Sequence, residues 1–105
     1  MQKLCSLEDL EDRQSKGFTL NGDALFVIRQ ERTVYAYRNS CPHLGIPLEW
    51  LSDKFLDADS ELIQCSTHGA LFTIDDGVCV SGPCSGQSLS MIDVDIRNDE
   101  VWVLL

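Results

Sequence analysis

Each of the two histidines of this 105-residue chain stands just beyond a cysteine: Cys41-Pro42-His43 reads C-x-H, and Cys65-Ser66-Thr67-His68 reads C-x-x-H. Two thiols and two imidazoles make four metal ligands. They suit zinc, copper or an iron–sulfur cluster and disfavour calcium or magnesium, which take oxygen. A single Cys-x-His is more often a structural thiol beside a surface histidine. A second copy at similar spacing, using up the chain's histidines, argues against coincidence.

The residues around each pair say where the ligands sit. Both pairs run into a glycine and then apolar residues, as Cys41-Pro42-His43-Leu44-Gly45-Ile46-Pro47-Leu48 and Cys65-Ser66-Thr67-His68-Gly69-Ala70-Leu71-Phe72. Neither stretch has the 3.6-residue period of a helix, so both pairs are expected on loops. A C₂H₂ finger gathers its cysteines on a hairpin and its histidines on a helix, whereas here each loop mixes one of each. Such loops deliver ligands as two equivalent half-sites. They fit a binuclear centre with two cysteines on one iron and two histidines on the other. Structural zinc in the same four ligands is the alternative from another functional class.

With C-x-H…C-x-x-H and a glycine after each histidine, the chain resembles the Rieske [2Fe–2S] family. His43 and Cys65 are separated by the 21 residues 44 to 64, an interval compatible with that family, and Gly82-Pro83 falls where Rieske proteins have a proline-containing loop over the cluster. The resemblance implies one [2Fe–2S] cluster per chain, with Cys41 and Cys65 on the inner iron and His43 and His68 on the outer. It also implies a Rieske-like all-β fold of about this size. High-potential Rieske proteins add a cysteine to each loop, and these two form a disulfide; here Ile46 and Ser66 stand in those places. Those proteins also have a serine after the His-Gly and a tyrosine two residues later, both donating to cluster sulfurs; here Ala70 and Phe72 replace them. Hydrogen bonds to the sulfurs favour the reduced cluster, so their loss implies a low potential.

Three cysteines remain, Cys5, Cys79 and Cys84. An odd remainder without a signal peptide points to reduced thiols in a cytoplasmic setting, with Cys79 and Cys84 as packing residues. The start Met1-Gln2-Lys3-Leu4-Cys5-Ser6-Leu7 has no apolar export region, and no apolar run approaches the roughly 20 residues that span a bilayer. A soluble protein is expected. With 17 acidic against 8 basic residues and a net charge of −9, nucleic acid is excluded as a partner, and steering toward basic patches on redox proteins is favoured.

The elements that must position these loops read as β. Residues 23 to 29 and 33 to 38 form one predicted hairpin across Gln30-Glu31-Arg32. A second joins the alternating Ile92–Ile96 to Val101–Leu104 through Asn98-Asp99. Ser6-Leu7-Glu8-Asp9 fits an S-x-x-D helix start. Between the hairpins, residues 40 to 85 are rich in glycine and proline and hold all four ligands. The expected architecture is therefore a single domain over 1–105, an antiparallel sandwich- or barrel-like β base with a small cluster-binding subdomain inserted at 40–85. Residues 49 to 59 are either helical or a packed excursion, with their aromatic residues in the core.

Function follows from the ligand set. With every iron position held by protein or sulfide, the chemistry is one-electron transfer rather than catalysis. His43 and His68 would be the exit points, within an apolar tip of Leu44, Gly45, Ile46, Pro47, Ala70 and Pro83. The resemblance is closest to ferredoxin components of bacterial ring-hydroxylating dioxygenase systems. It implies transient partners: a flavin-containing reductase as donor and a terminal oxygenase, or another redox protein, as acceptor. A Rieske-like small subunit of a larger reductase, such as nitrite reductase, is the rival.

Overall fold

The computed structural model describes residues 1–105 apart from His43, Leu44, Trp50, His68 and Ser85. Among the described residues nine strands follow one another: β1 (Gln2–Ser6), β2 (Ser15–Leu20), β3 (Asp23–Gln30), β4 (Thr33–Arg38), β5 (Leu62–Gln64), β6 (Leu71–Thr73), β7 (Cys79–Ser81), β8 (Met91–Arg97) and β9 (Glu100–Leu104). The S-x-x-D start opens one 3₁₀ turn, Leu7–Asp9, where Asp9 Oδ2 accepts the Ser6 N–H at 3.0 Å. The all-β expectation is met.

Both predicted hairpins are present. Gln30 still pairs with Thr33, so the first turn is only Glu31-Arg32. In the second, Asn98 and Asp99 have φ of 51° and 59°, the left-handed pair that a two-residue turn needs to match strand twist. The strands form an antiparallel six-stranded sheet in the order β1-β9-β8-β4-β3-β2. It curls until its edges approach, where Asn21 Nδ2 donates to Gln2 Oε1 at 3.0 Å.

Leu25-Phe26-Val27-Ile28 is apolar at every position because β3 is covered on both faces. Leu25 and Val27 join Val34, Ala36, Ile92, Val101 and Val103 in one core. Phe26 and Ile28 belong with Tyr37, Leu48, Phe55, Ile63 and Phe72 in a second, between the sheet and the inserted segment.

That segment leaves from β4 and returns on β8, neighbours in the sheet through Ala36↔Ile92 and Tyr37↔Met91. It contains the antiparallel sheet β5-β6-β7. The described residues of 49–59 are a packed excursion without helix: Phe55 is fully buried while Leu51 is 69 % exposed. Trp50 lies outside the described residues.

Polar contacts fix the segment to the base. Ser15 Oγ–H donates to the Asp53 carbonyl at 2.7 Å and accepts the Phe55 N–H at 3.1 Å. The Gly17 N–H donates to Asp53 Oδ1 at 2.8 Å, and the buried Tyr37 hydroxyl donates to the Ile74 carbonyl at 2.5 Å. Among the described residues no helix is long and apolar enough to cross a membrane.

Candidate metal centre

The two predicted ligand loops have one backbone design. In the first, the Gly45 N–H donates to the Cys41 carbonyl at 2.6 Å and the Cys41 N–H to the Ile46 carbonyl at 2.7 Å. In the second, the Gly69 N–H donates to the Cys65 carbonyl at 2.8 Å and the Cys65 N–H to the Ala70 carbonyl at 2.9 Å. Both glycines are left-handed, with φ of 70° and 67°, a conformation that costs other L-residues about 1–2 kcal/mol. The fourth residue after each cysteine is thus glycine for the same reason in both. The second loop closes the β5–β6 hairpin, whose last pair is Gln64↔Leu71, and the Ser66 N–H reaches the Leu48 carbonyl at 2.8 Å to join it to the end of the first.

Cys41 and Cys65 are fully buried and share one core. His43 and His68 lie outside the described residues, so of the expected set the structure describes the two cysteines, both in that core. Burying ionised thiolates is costly unless a cation compensates them, and soft cations or an iron–sulfur cluster supply that compensation. Two buried cysteines on matched loops fit such a group.

Around the loops the expected apolar tip needs one correction. Gly45, Pro47 and Pro83 are exposed and Ile46 is half-buried, but Ala70 is fully buried. Its surface is covered because the Gly82 backbone lies against it: a Cβ on Gly82 would fall 2.8 Å from Ala70 Cα. Leu44 is among the residues not described. Phe72 is also fully buried, on β6.

Cys79 and Cys84 are core residues, as expected of packing thiols, but they also touch. The Cys84 thiol donates to Cys79 Sγ at 2.7 Å, and the Cys79 thiol donates to the Ser81 carbonyl at 3.3 Å. Burial, and then the contact with Cys79, push the Cys84 thiol up to about 12. Sequence reasoning passed over Asn39. Its Oδ1 accepts the Leu48 N–H and its Nδ2 donates to Glu49 Oε1, both at 2.8 Å, clamping the exit of the first loop to the end of β4. The available signal was an asparagine at the strand-to-loop junction.

A curled antiparallel sheet carrying an inserted three-stranded sheet, with matched loops offering C-x-H and C-x-x-H, defines a class of iron–sulfur proteins. The Rieske [2Fe-2S] domain matches residues 1–97. Ferredoxin CarAc of Metapseudomonas resinovorans is 32% identical over 102 residues, covering 96% of this chain and 90% of that protein. The ferredoxin of carbazole 1,9a-dioxygenase from Nocardioides aromaticivorans IC177 superposes with a TM-score of 0.78 at 26% identity, over 98% of this chain and 97% of that one. A ferredoxin from the complex of reduced oxygenase and oxidized ferredoxin in carbazole 1,9a-dioxygenase superposes with the same TM-score and identity, over 96% of this chain and 89% of that one. The chain belongs to the Rieske [2Fe–2S] family. Its cofactor is a [2Fe–2S] cluster, and it is an electron carrier rather than a catalyst.

Proposed function

We propose that Cys41 and Cys65 ligate one iron of the cluster and His43 and His68 the other, and that the chain is a single-domain, cytoplasmic carrier between a flavin-containing reductase and a terminal oxygenase. The observation that carries the ligand assignment is the repeated hydrogen-bond pattern, which offers each cysteine from the same backbone frame. The cluster, when bound, supplies one-electron oxidation and reduction. The protein's own part is to hold it. Cys41 and Cys65, with no exposed surface, keep water from the sulfur side, while the sequence places a histidine two residues after Cys41 and three residues after Cys65.

An oxygenase acceptor is supported by the ferredoxins this chain resembles, which belong to carbazole dioxygenase systems. Exposed Gly45, Pro47, Gly69 and Pro83 leave a small, largely apolar rim suited to brief docking. Charge supports the same mode of encounter. Residues 40 to 85 carry seven acids (Glu49, Asp53, Asp57, Asp59, Glu61, Asp75 and Asp76) against Lys54, a net −6 of the chain's −9. That segment favours a basic partner surface and salt-sensitive association.

Electron paramagnetic resonance of the dithionite-reduced protein tests the assignment. Histidine ligation lowers the average g value below that of an all-cysteine [2Fe–2S] cluster, and His43→Ala or His68→Ala should abolish or alter the signal. Serine at Cys79 or Cys84 should leave it intact. Loss of the cluster in either serine variant would show that the ligand set is wrong.

A further inference from the structure

Two buried thiols stand outside the proposed ligand set, and they are in contact. Cys79 begins β7 and Cys84 lies in the turn beyond it, 5% and 1% exposed, with their sulfurs 2.7 Å apart. Both are reduced. A disulfide bond is about 2.04 Å long, so bonding asks the sulfurs to close by well under an ångström. The stretch that carries them is already drawn into a loop, since the Gln87 N–H donates to the Cys84 carbonyl and the Cys79 N–H to the Gln87 carbonyl, both at 2.9 Å. This loop rests on the backbone after the second ligand loop, at the close approach of Gly82 to Ala70.

We infer that Cys79 and Cys84 form an oxidisable dithiol whose disulfide locks the 79–87 loop against the second ligand loop. The dithiol stands on its own geometry; its effect on the cluster rests on the ligand assignment above. The oxidant is a low-molecular-weight disulfide of the glutathione type. Cys79, the more exposed residue of the two, loses its proton and attacks one sulfur of that disulfide; the sulfur–sulfur bond breaks, and the first glutathione thiolate leaves and takes up a proton. Cys84 then loses its proton and attacks Cys79 Sγ, forming the Cys79–Cys84 bond and expelling the second glutathione. Two protein thiols are oxidised by two electrons, and one small disulfide is reduced to two thiols.

The test uses cluster-loaded protein exposed to oxidised glutathione, then denatured in acid with an alkylating reagent and weighed. Alkylation should fall from all five cysteines to three, and fragmentation should place the bond at Cys79–Cys84. Cys79→Ser and Cys84→Ser should each abolish the bond while keeping the visible spectrum. Five alkylated cysteines after exposure would overturn the dithiol. So would glutathione retained on both thiols, or a bond to Cys5, Cys65 or Cys41. The second readout is bleaching of the cluster by an iron chelator, which should slow several-fold on oxidation in the wild type and not in Cys79→Ser. An unchanged rate with the bond formed would overturn the lock. Failure of the histidine assignment would appear in the resonance spectrum and leave the thiol count untouched.

Discussion

The ring of Phe55 lies flat on that of Phe26, with centroids 4.3 Å apart and planes 6° from parallel. Phe26 belongs to β3 of the base and Phe55 to the inserted segment, so this stack is one of the contacts of the core between them. Both rings are fully buried. Phe55→Ala should cost about 3–5 kcal/mol, a large part of the roughly 5–15 kcal/mol total stability expected of such a chain. Because the core of Leu25, Val27, Val101 and Val103 lies on the opposite side of the sheet, the variant's cluster absorbance should be lost at lower denaturant than its far-ultraviolet circular dichroism. Coincident transitions would show that segment and base unfold as one unit.

Gly69 isolates the conformational part of the loop design. Nothing lies within 4 Å of a Cβ built on it, yet its φ is 67°. Gly69→Ala should therefore cost about 1–2 kcal/mol through backbone strain alone, and Gly69→Asn less, since asparagine tolerates the left-handed region. Chemical denaturation of both variants checks the order. Equal costs would mean that bulk, not φ, selects glycine there.

Asn39 offers a test of how the first loop is held. Asn39→Ala removes the acceptor of the Leu48 N–H and the donor to Glu49. The expected loss is about 1–3 kcal/mol, the cost of leaving a buried backbone donor unpaired. Faster cluster release to a chelator should accompany it, and Asn39→Asp, which keeps the acceptor for Leu48, should recover part of the loss.

What could be read from the chain beforehand depended on how local each cause was. The hairpins around residues 31 and 98 were legible because apolar alternation and turn chemistry lie within a few residues of each other. β2 was not. Its Ser15-Lys16-Gly17 start lacks strand character because it serves the inserted segment: Ser15 and Gly17 bond to Asp53, and a Cβ on Gly17 would crowd the Phe55 ring at 3.3 Å. The three-residue strands β5, β6 and β7 are too short to show a period. At the site, the cysteine–histidine spacing and the glycine in each loop were visible, and the shared backbone pattern explains that glycine. The contact of Cys79 with Cys84 was hidden, because spacing alone does not say which way two thiols point.

Ala70 and Phe72 carry a prediction about potential. Both are fully buried and neither has a hydroxyl to offer. If the resemblance to high-potential Rieske proteins places them beside the cluster sulfurs, the midpoint should fall near −150 mV rather than near +300 mV, roughly the two ends of the Rieske range. Phe72→Tyr should raise it. Voltammetry of the wild type decides the first point, and a midpoint above about +100 mV would contradict this account of the sulfur environment.

Tyr37 gives the pH dependence. Burial holds its hydroxyl well above the ordinary value of 10, with the nearby carboxylates of Asp76 and Asp75 acting in the same direction, and its proton is donated to the Ile74 carbonyl. Below pH about 10 the tyrosine keeps its proton in both folded and unfolded chains, so its contribution to stability is fully present. Above that, the unfolded chain releases the proton while the folded chain retains it. Stability should then fall by up to about 1.4 kcal/mol per pH unit until the folded value is reached. Tyr37→Phe removes the titration together with the hydrogen bond. It should be less stable than wild type at pH 8, and the gap should narrow as the pH rises past 10. Denaturant titrations of both proteins from pH 8 to 11 measure that gap, and a constant difference would mean that Tyr37 ionises in the folded protein as readily as in the unfolded chain.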